Sequence, residues 1–261
     1  MAGQFAGAAA GARGPTGPFE LSIGFLLSGA ALASFLWKEN KAEKSGDGDA
    51  KELSIRDAVK VVKEDPKIML VGAVQSLFEA AMYIFVLQWP PAISGIIANV
   101  FDGSATPYGT VFSCFMASCL LGSTIFGQLV KKNVTTEKST SVMLSMATIA
   151  MGIAAWVSTT GSAVAMPLAT LVAAFFVFEA CVGMYFPSIG TLRSKYVPDS
   201  HRSVIMNLFG IPLNVLVVTV FLSIKKLGVS GALSVSTGAL ALATASMLKL
   251  KSMAKTEVAN A

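Results

Sequence analysis

The sequence predicts an all-α, polytopic membrane helical bundle, and three observations predict it. Mean hydropathy is +0.66, with 54% of the 261 residues hydrophobic and only 13% charged, a balance too apolar for a domain whose outside faces water. The apolar residues fall into stretches of roughly 20, the length an α-helix needs to cross the hydrocarbon core of a bilayer. Lys and Arg collect in the breaks between these stretches and alternate in number from one break to the next, the pattern that orients membrane spans.

Residues 1–18 are rich in Ala and Gly with a single Arg13. They have neither the basic start of a signal peptide nor the Ser/Arg richness of a transit sequence, so a disordered N-terminus is expected. The breaker Gly14-Pro15-Thr16-Gly17-Pro18 introduces a lone transmembrane helix at 19–37. In it Gly24, Ser28, Gly29, Ala30 and Ala31 permit close helix packing. Residues 38–66 form a charged cytoplasmic linker: eight Lys/Arg and eight Asp/Glu lie between Lys38 and Lys67, and the run KSGDGDA at 44–50 has the composition of a solvated hinge. At its end Leu53, Ile55, Ala58, Val59, Val61 and Val62 alternate with charges. That pattern suggests a short amphipathic helix on the membrane surface, stopped by Pro66. Six more spans fit within 67–250, at about 68–87, 109–130, 141–157, 165–191, 204–224 and 231–248. Trp89, Pro90 and Pro91 would mark the interface after the first of them, and residues 251–261 form a cytoplasmic tail.

The charge bias supports this order. The breaks at 38–67, 131–138 and 193–202 and the tail from Lys249 hold 8, 3, 3 and 3 basic residues, seventeen of the twenty in the chain. The opposite side holds Arg13, nothing in two breaks, and the dissenting pair Lys225 and Lys226. The rich side is assigned to the cytoplasm. Basic residues spread this way, without interleaved aromatics, argue against nucleic-acid binding despite a net charge of +5. Cys114, Cys119 and Cys181 lie within apolar segments without metal-ligand spacing, and are expected to be small packed side chains. His201 is the only histidine, which argues against a Ser-His-Asp triad or a two-histidine metal site. No catalytic, cofactor-binding or metal-ligating set is predicted, and the chain is not expected to be an enzyme.

Two carboxylates interrupt apolar runs, Glu79 in LFEAAMY and Glu179 in VFEAC. An ionisable group near the bilayer centre costs about 2.5 to 3.5 kcal/mol on insertion scales, so it usually faces a polar interior. Each is therefore a candidate substrate- or proton-binding group, the alternative being a protonated acid that ties helices together. Phe78-Glu79-Ala80 recurs as Phe178-Glu179-Ala180, each followed by Met-Tyr. The recurrence divides the six spans into two three-helix units, an arrangement found in secondary transporters with a site between repeats. Helical spacing places Gln75, Glu79 and Tyr83 on one face. It places Glu179, Gly183, Phe186, Gly190 and Arg193 on another, with Tyr185 pointing elsewhere. Asn207, Gly210 and Asn214 make a third stripe, near a possible kink at Pro212. The asparagines suit either helix–helix hydrogen bonds or substrate contacts. Arg193, Lys195 and Arg202 suit either topology signals or cations on the path of an oxyanion.

Taken together, the sequence resembles the molybdate-anion transporter family of the major facilitator superfamily. The resemblance is carried by Gln75 to Pro91 (QSLFEAAMYIFVLQWPP), Val111 to Gly122 (VFSCFMASCLLG) and Phe178 to Asn214 (FEACVGMYFPSIGTLRSKYVPDSHRSVIMNLFGIPLN). Gly14 to Asn40 is similar to the sixth span of that family. The resemblance implies one helix plus a six-helix half of a major-facilitator-type transporter, with the N-terminal half as a missing partner. It implies transport of a small oxyanion such as molybdate by alternating access, possible coupling to protons, and no cofactor. Glu79, Glu179, Gln75, Tyr83, Asn207, Asn214 and Arg193 would be the substrate- or proton-binding residues. The lipid bilayer is the other expected partner, and the cell membrane is favoured over an organelle membrane. The competing expectation is a truncated gene product or helical scaffold without transport activity of its own.

Overall fold

The structure, a computed structural model, describes residues 2–14, 16–37, 55–100, 106–159 and 165–260. Its helices are α1 (Ala2–Arg13), α2 (Gly17–Leu36), α3 (Ile55–Glu64), α4 (Pro66–Val100), α5 (Tyr108–Lys131), α6 (Thr136–Val157), α7 (Ala165–Tyr196), α8 (Arg202–Leu222) and α9 (Ile224–Asn260), with a short 3₁₀ turn at Asp199–His201 before α8. Among the described residues there is no strand, and α2 and α4 to α9 are seven helices long and apolar enough to cross a membrane. Lipid cannot hydrogen-bond the backbone, so a spanning segment must satisfy its own amides, which the helix does within the segment.

The chain divides into two compact units. One comprises residues 1–52 and 107–113, the other 53–106 and 114–261. In the first unit α1 packs on α2, and Gly17 is needed at their contact because a Cβ there would collide with the Ala9 carbonyl. Arg13 and Glu20 join the two helices at 3.1 Å, but both side chains are exposed, so the pair adds little. The disordered N-terminus expected at residues 1–18 is helical in the structure over Ala2–Arg13, where alanine's high helix propensity outweighs the interspersed glycines. The linker hinge at 44–50 lies outside the described residues.

In the second unit the amphipathic helix expected before Pro66 is α3. Its Ala58, Val61 and Val62 pack against Ile68 at the start of α4 and Val197, Ile205 and Phe209 around the start of α8. Pro66 separates α3 from α4 by opening the longer helix, a position where its missing N–H costs nothing. Pro90 and Pro91 do not end α4, which continues to Val100; Pro187 and Pro212 likewise lie inside α7 and α8. In α9, Gly228 has φ 63° and ψ −175°, a break that sets Ile224 to Leu227 apart from the remainder of the helix.

Two kinds of contact fix the helices around the site. An aromatic stack fills the space between α4, α5 and α7: Phe78 lies parallel to Tyr185 at 4.1 Å, and Phe85 meets Phe178, Phe175 and Phe115 at 4.9, 5.0 and 5.8 Å. Centroid distances of this kind favour offset or edge-on ring pairs. Second, α5 and α7 touch backbone to backbone. Gly122 faces the Ala180 carbonyl, Gly183 faces the Cys119 carbonyl, and a Cβ on either glycine would overlap the opposing chain. Close approach through small residues is how helices gain contact where no hydrophobic effect drives them together. Gly183→Ala and Gly122→Ala are each expected to destabilise by about 1–3 kcal/mol or more. Gly127→Ala, with nothing near its Cβ, serves as the neutral control, and thermal unfolding in detergent measures all three. Equal melting temperatures would remove the glycine contact from the account.

Candidate functional site

The site is built where α4 and α7 run side by side. Gln75 and Glu79 sit roughly 14 and 20 Å along α4 from Pro66 at about 1.5 Å per residue, one helical turn apart on the same face. Arg193 reaches across from near the end of α7: its Nε donates to Gln75 Oε1 at 3.0 Å and its Nη2 to Glu79 Oε1 at 3.2 Å. Tyr185, two turns earlier on α7, donates its hydroxyl to the same Glu79 oxygen at 2.9 Å. The ring of Phe78 stacked on Tyr185 holds that hydroxyl in place. Gln75 and Tyr185 are buried, while the Glu79 and Arg193 side chains keep 20% and 27% of their surface open.

The guanidinium is therefore engaged along one edge only. Its Nη1 has no partner among the described residues, so a planar, two-donor edge remains beside a carboxylate that neutralises the charge. Such an edge can bind an oxyanion through two parallel hydrogen bonds.

The structure brings together three of the residues the sequence singles out, Gln75, Glu79 and Arg193, and leaves the others apart. Tyr83 is exposed one turn beyond Glu79. Glu179 is 6% exposed and shares no hydrogen bond with a described residue. Its face of α7 turns to α5, where Gly183 also lies, while Phe186 and Gly190 are exposed. Asn207 and Asn214 are exposed on α8, and Asn214 donates to the Gly210 carbonyl of its own helix at 2.8 Å. Neither asparagine shares a hydrogen bond with the Glu79 cluster.

Sequence reasoning missed Tyr185, which meets Glu79 instead of pointing away. It also missed a second cluster at the basic end of the bundle. Glu137, in the first turn of α6 and 6% exposed, accepts from Lys195 Nζ at 2.5 Å and from the Tyr196 hydroxyl at 2.7 Å. The available signal was the lone acid in the stretch 131–138, whose other charged residues are all lysines. Among the described residues no group of His, Cys, Asp and Glu is arranged to hold a metal ion.

A family described as sugar transporters with 12 transmembrane segments has a sequence model that matches residues 1–178, a stretch that includes Gln75 and Glu79 but stops before Tyr185 and Arg193. The chain is 30% identical over 207 residues to the molybdate-anion transporter of Xenopus tropicalis, covering 78% of this chain and 42% of that protein. It is 29% identical over 224 residues to that of Takifugu rubripes and 28% over 223 residues to that of Danio rerio, which it covers to 45% and 44%. The chain thus spans less than half the length of the curated relatives it matches. No solved structure matches it.

The Glu137 cluster yields an ordered expectation for stability. Glu137→Gln keeps an acceptor for Lys195 and Tyr196 and should cost less than about 1.5 kcal/mol. Lys195→Ala leaves a buried carboxylate with Tyr196 alone and should cost about 1–3 kcal/mol. Thermal unfolding of the two variants in one detergent gives the order, and the reverse order contradicts it.

Proposed function

Because the chain belongs to the molybdate-anion transporter family of the major facilitator superfamily, we propose that this multi-pass membrane protein carries a small tetrahedral oxyanion, molybdate, with Arg193 as its anion-binding cation. The observation that carries this reading is the half-engaged guanidinium. Gln75 and Glu79 orient it, and its unused edge accepts two oxygens of the cargo. Glu79 is the resident counter-ion, keeping the site neutral when no anion is bound. An arriving dianion meets repulsion from Glu79 at close range, and a proton on that carboxylate relieves it. Uptake is accordingly linked to protons.

The site lies where α4 meets α7, and rocking of the helix bundle that carries it against a second bundle would open it to alternate sides. Arg193, Gln75 and Glu79 form its core, with Tyr185 positioning Glu79. Tyr83 on the same face of α4 and Asn207 and Asn214 on α8 are assigned to the wall of the pathway, and Glu179 is a second protonatable group. The missing wall comes from the N-terminal half that the longer relatives contain, and the cell membrane is the site of action.

The family's description names sugars, and a neutral Arg–Glu pair can also hydrogen-bond hydroxyls. Competition separates the two readings: excess sulfate, another tetrahedral dianion, should inhibit molybdate uptake by an assembly containing this chain, and excess hexose should not. Arg193→Lys keeps the charge but loses the two-donor edge, so uptake efficiency should fall by about 10- to 100-fold, the worth of one charge-assisted hydrogen bond. Glu79→Gln should flatten the rise of uptake toward acid pH. A pH profile identical to that of the unaltered protein would disprove the coupling role, and uptake indifferent to Arg193 would disprove the anion site.

A further inference from the structure

The outer face of α6 carries an apolar slot that the proposed transport site does not use. Near the basic rim, a cavity of about 350 Å³ is walled by Ile125 and Leu129 of α5, Val142 and Met143 of α6 and Met184 of α7, with Lys138 at its mouth. Met146 closes its far end and also lines a second cavity of about 630 Å³. That one continues between α6 and α7 past Ile149 and Ile153 on one side and Ala173 and Val177 on the other. The two share a wall and run along α6 for roughly 22 Å from Lys138 to Ile153 at about 1.5 Å per residue, longer than the depth of one leaflet, about half of a 30 Å hydrocarbon core.

The charge is confined to one end of the slot. Lys138 stands at the mouth in the first turn of α6, and Lys131 and Lys132 are exposed where α5 ends in the turn that Asn133 closes with φ 55°. The neighbouring acid, Glu137, is turned inward and held by Lys195 and Tyr196, and among the described residues none of the three lysines has a carboxylate partner. Among the described residues that line the walls, Lys138 and the Cys181 thiol are the only ionisable side chains.

A long apolar channel within a membrane-crossing segment, ending at Lys138 on the basic side, matches an amphiphile with one extended hydrocarbon chain and a negative head. We propose that this slot binds an anionic phospholipid of the basic-side leaflet, one acyl chain lying along α6 and the phosphate at Lys138. The bound lipid fills the space between α5, α6 and α7 and so braces the α5–α7 crossing described above.

The full-length chain, reconstituted in vesicles of equal phosphatidylglycerol and phosphatidylcholine and then extracted, provides the test, with retained lipid measured by mass spectrometry. Phosphatidylglycerol should be enriched roughly fivefold over phosphatidylcholine, the expected worth of one lysine near the headgroup. Lys138→Gln should abolish the enrichment while leaving total retained lipid unchanged. Ala173→Trp places an indole in the channel and should lower the total, with folding followed by circular dichroism. Equal retention of the two lipids overturns the proposal, as does an enrichment that survives Lys138→Gln. The lysine variant alters only an exposed side chain and stays informative if the tryptophan variant does not fold.

Discussion

The Glu79–Arg193 pair, completed by Gln75 and Tyr185, is the interaction around which the second unit is arranged. Within lipid an isolated carboxylate or guanidinium is costly, and each of these groups is tolerable only because the other is within reach. Their meeting fixes α4 and α7 in register, and the rings of Phe78, Tyr185, Phe178 and Phe85 pack in the space that this register leaves. The polar contact and the aromatic stack are thus mutually dependent, because moving either helix by one turn would expose both.

The repeated tripeptide shows what the chain did with two copies of one pattern. Phe78 and Phe178 face each other at 6.0 Å, so both copies of the aromatic position serve the same interface. The glutamates that follow have parted company. Glu79 turns to the arginine and stays partly open, whereas Glu179 is enclosed one turn before Gly183 and the glycine crossing. Such divergence gives one carboxylate a fixed partner and leaves the other without a hydrogen-bond partner among the described residues.

The amount legible in the sequence differed by level. Hydropathy alone located all seven spans, because bilayer thickness sets helix length regardless of sequence detail. The Gln75–Glu79 face followed from a four-residue spacing, and Arg193 was visible as a cation but not as a partner, since nothing local says which helix lies opposite. Tyr185 fell outside the stripe drawn through Glu179 because that stripe is not one environment: Gly183 faces α5, Phe186 and Gly190 are exposed, and Arg193 turns to α4, with Pro187 between the early and late residues. Helix ends were the least legible. Proline pairs predict stops in water, but α4 passes through Pro90 and Pro91; in a membrane-crossing helix leaving the helix would expose still more backbone groups than the prolines free.

The break at Gly228 resolves a tension in the charge pattern. Lys225 and Lys226 stand on the side with few cations, where their burden would ordinarily argue against the assigned orientation. They belong to the four-residue piece that the glycine's left-handed φ detaches from α9, so their stems can lie along the headgroups while the longer helix descends on its own axis. Only a residue without a side chain bends there without strain. One glycine thereby uncouples where a charge rests from where a span begins.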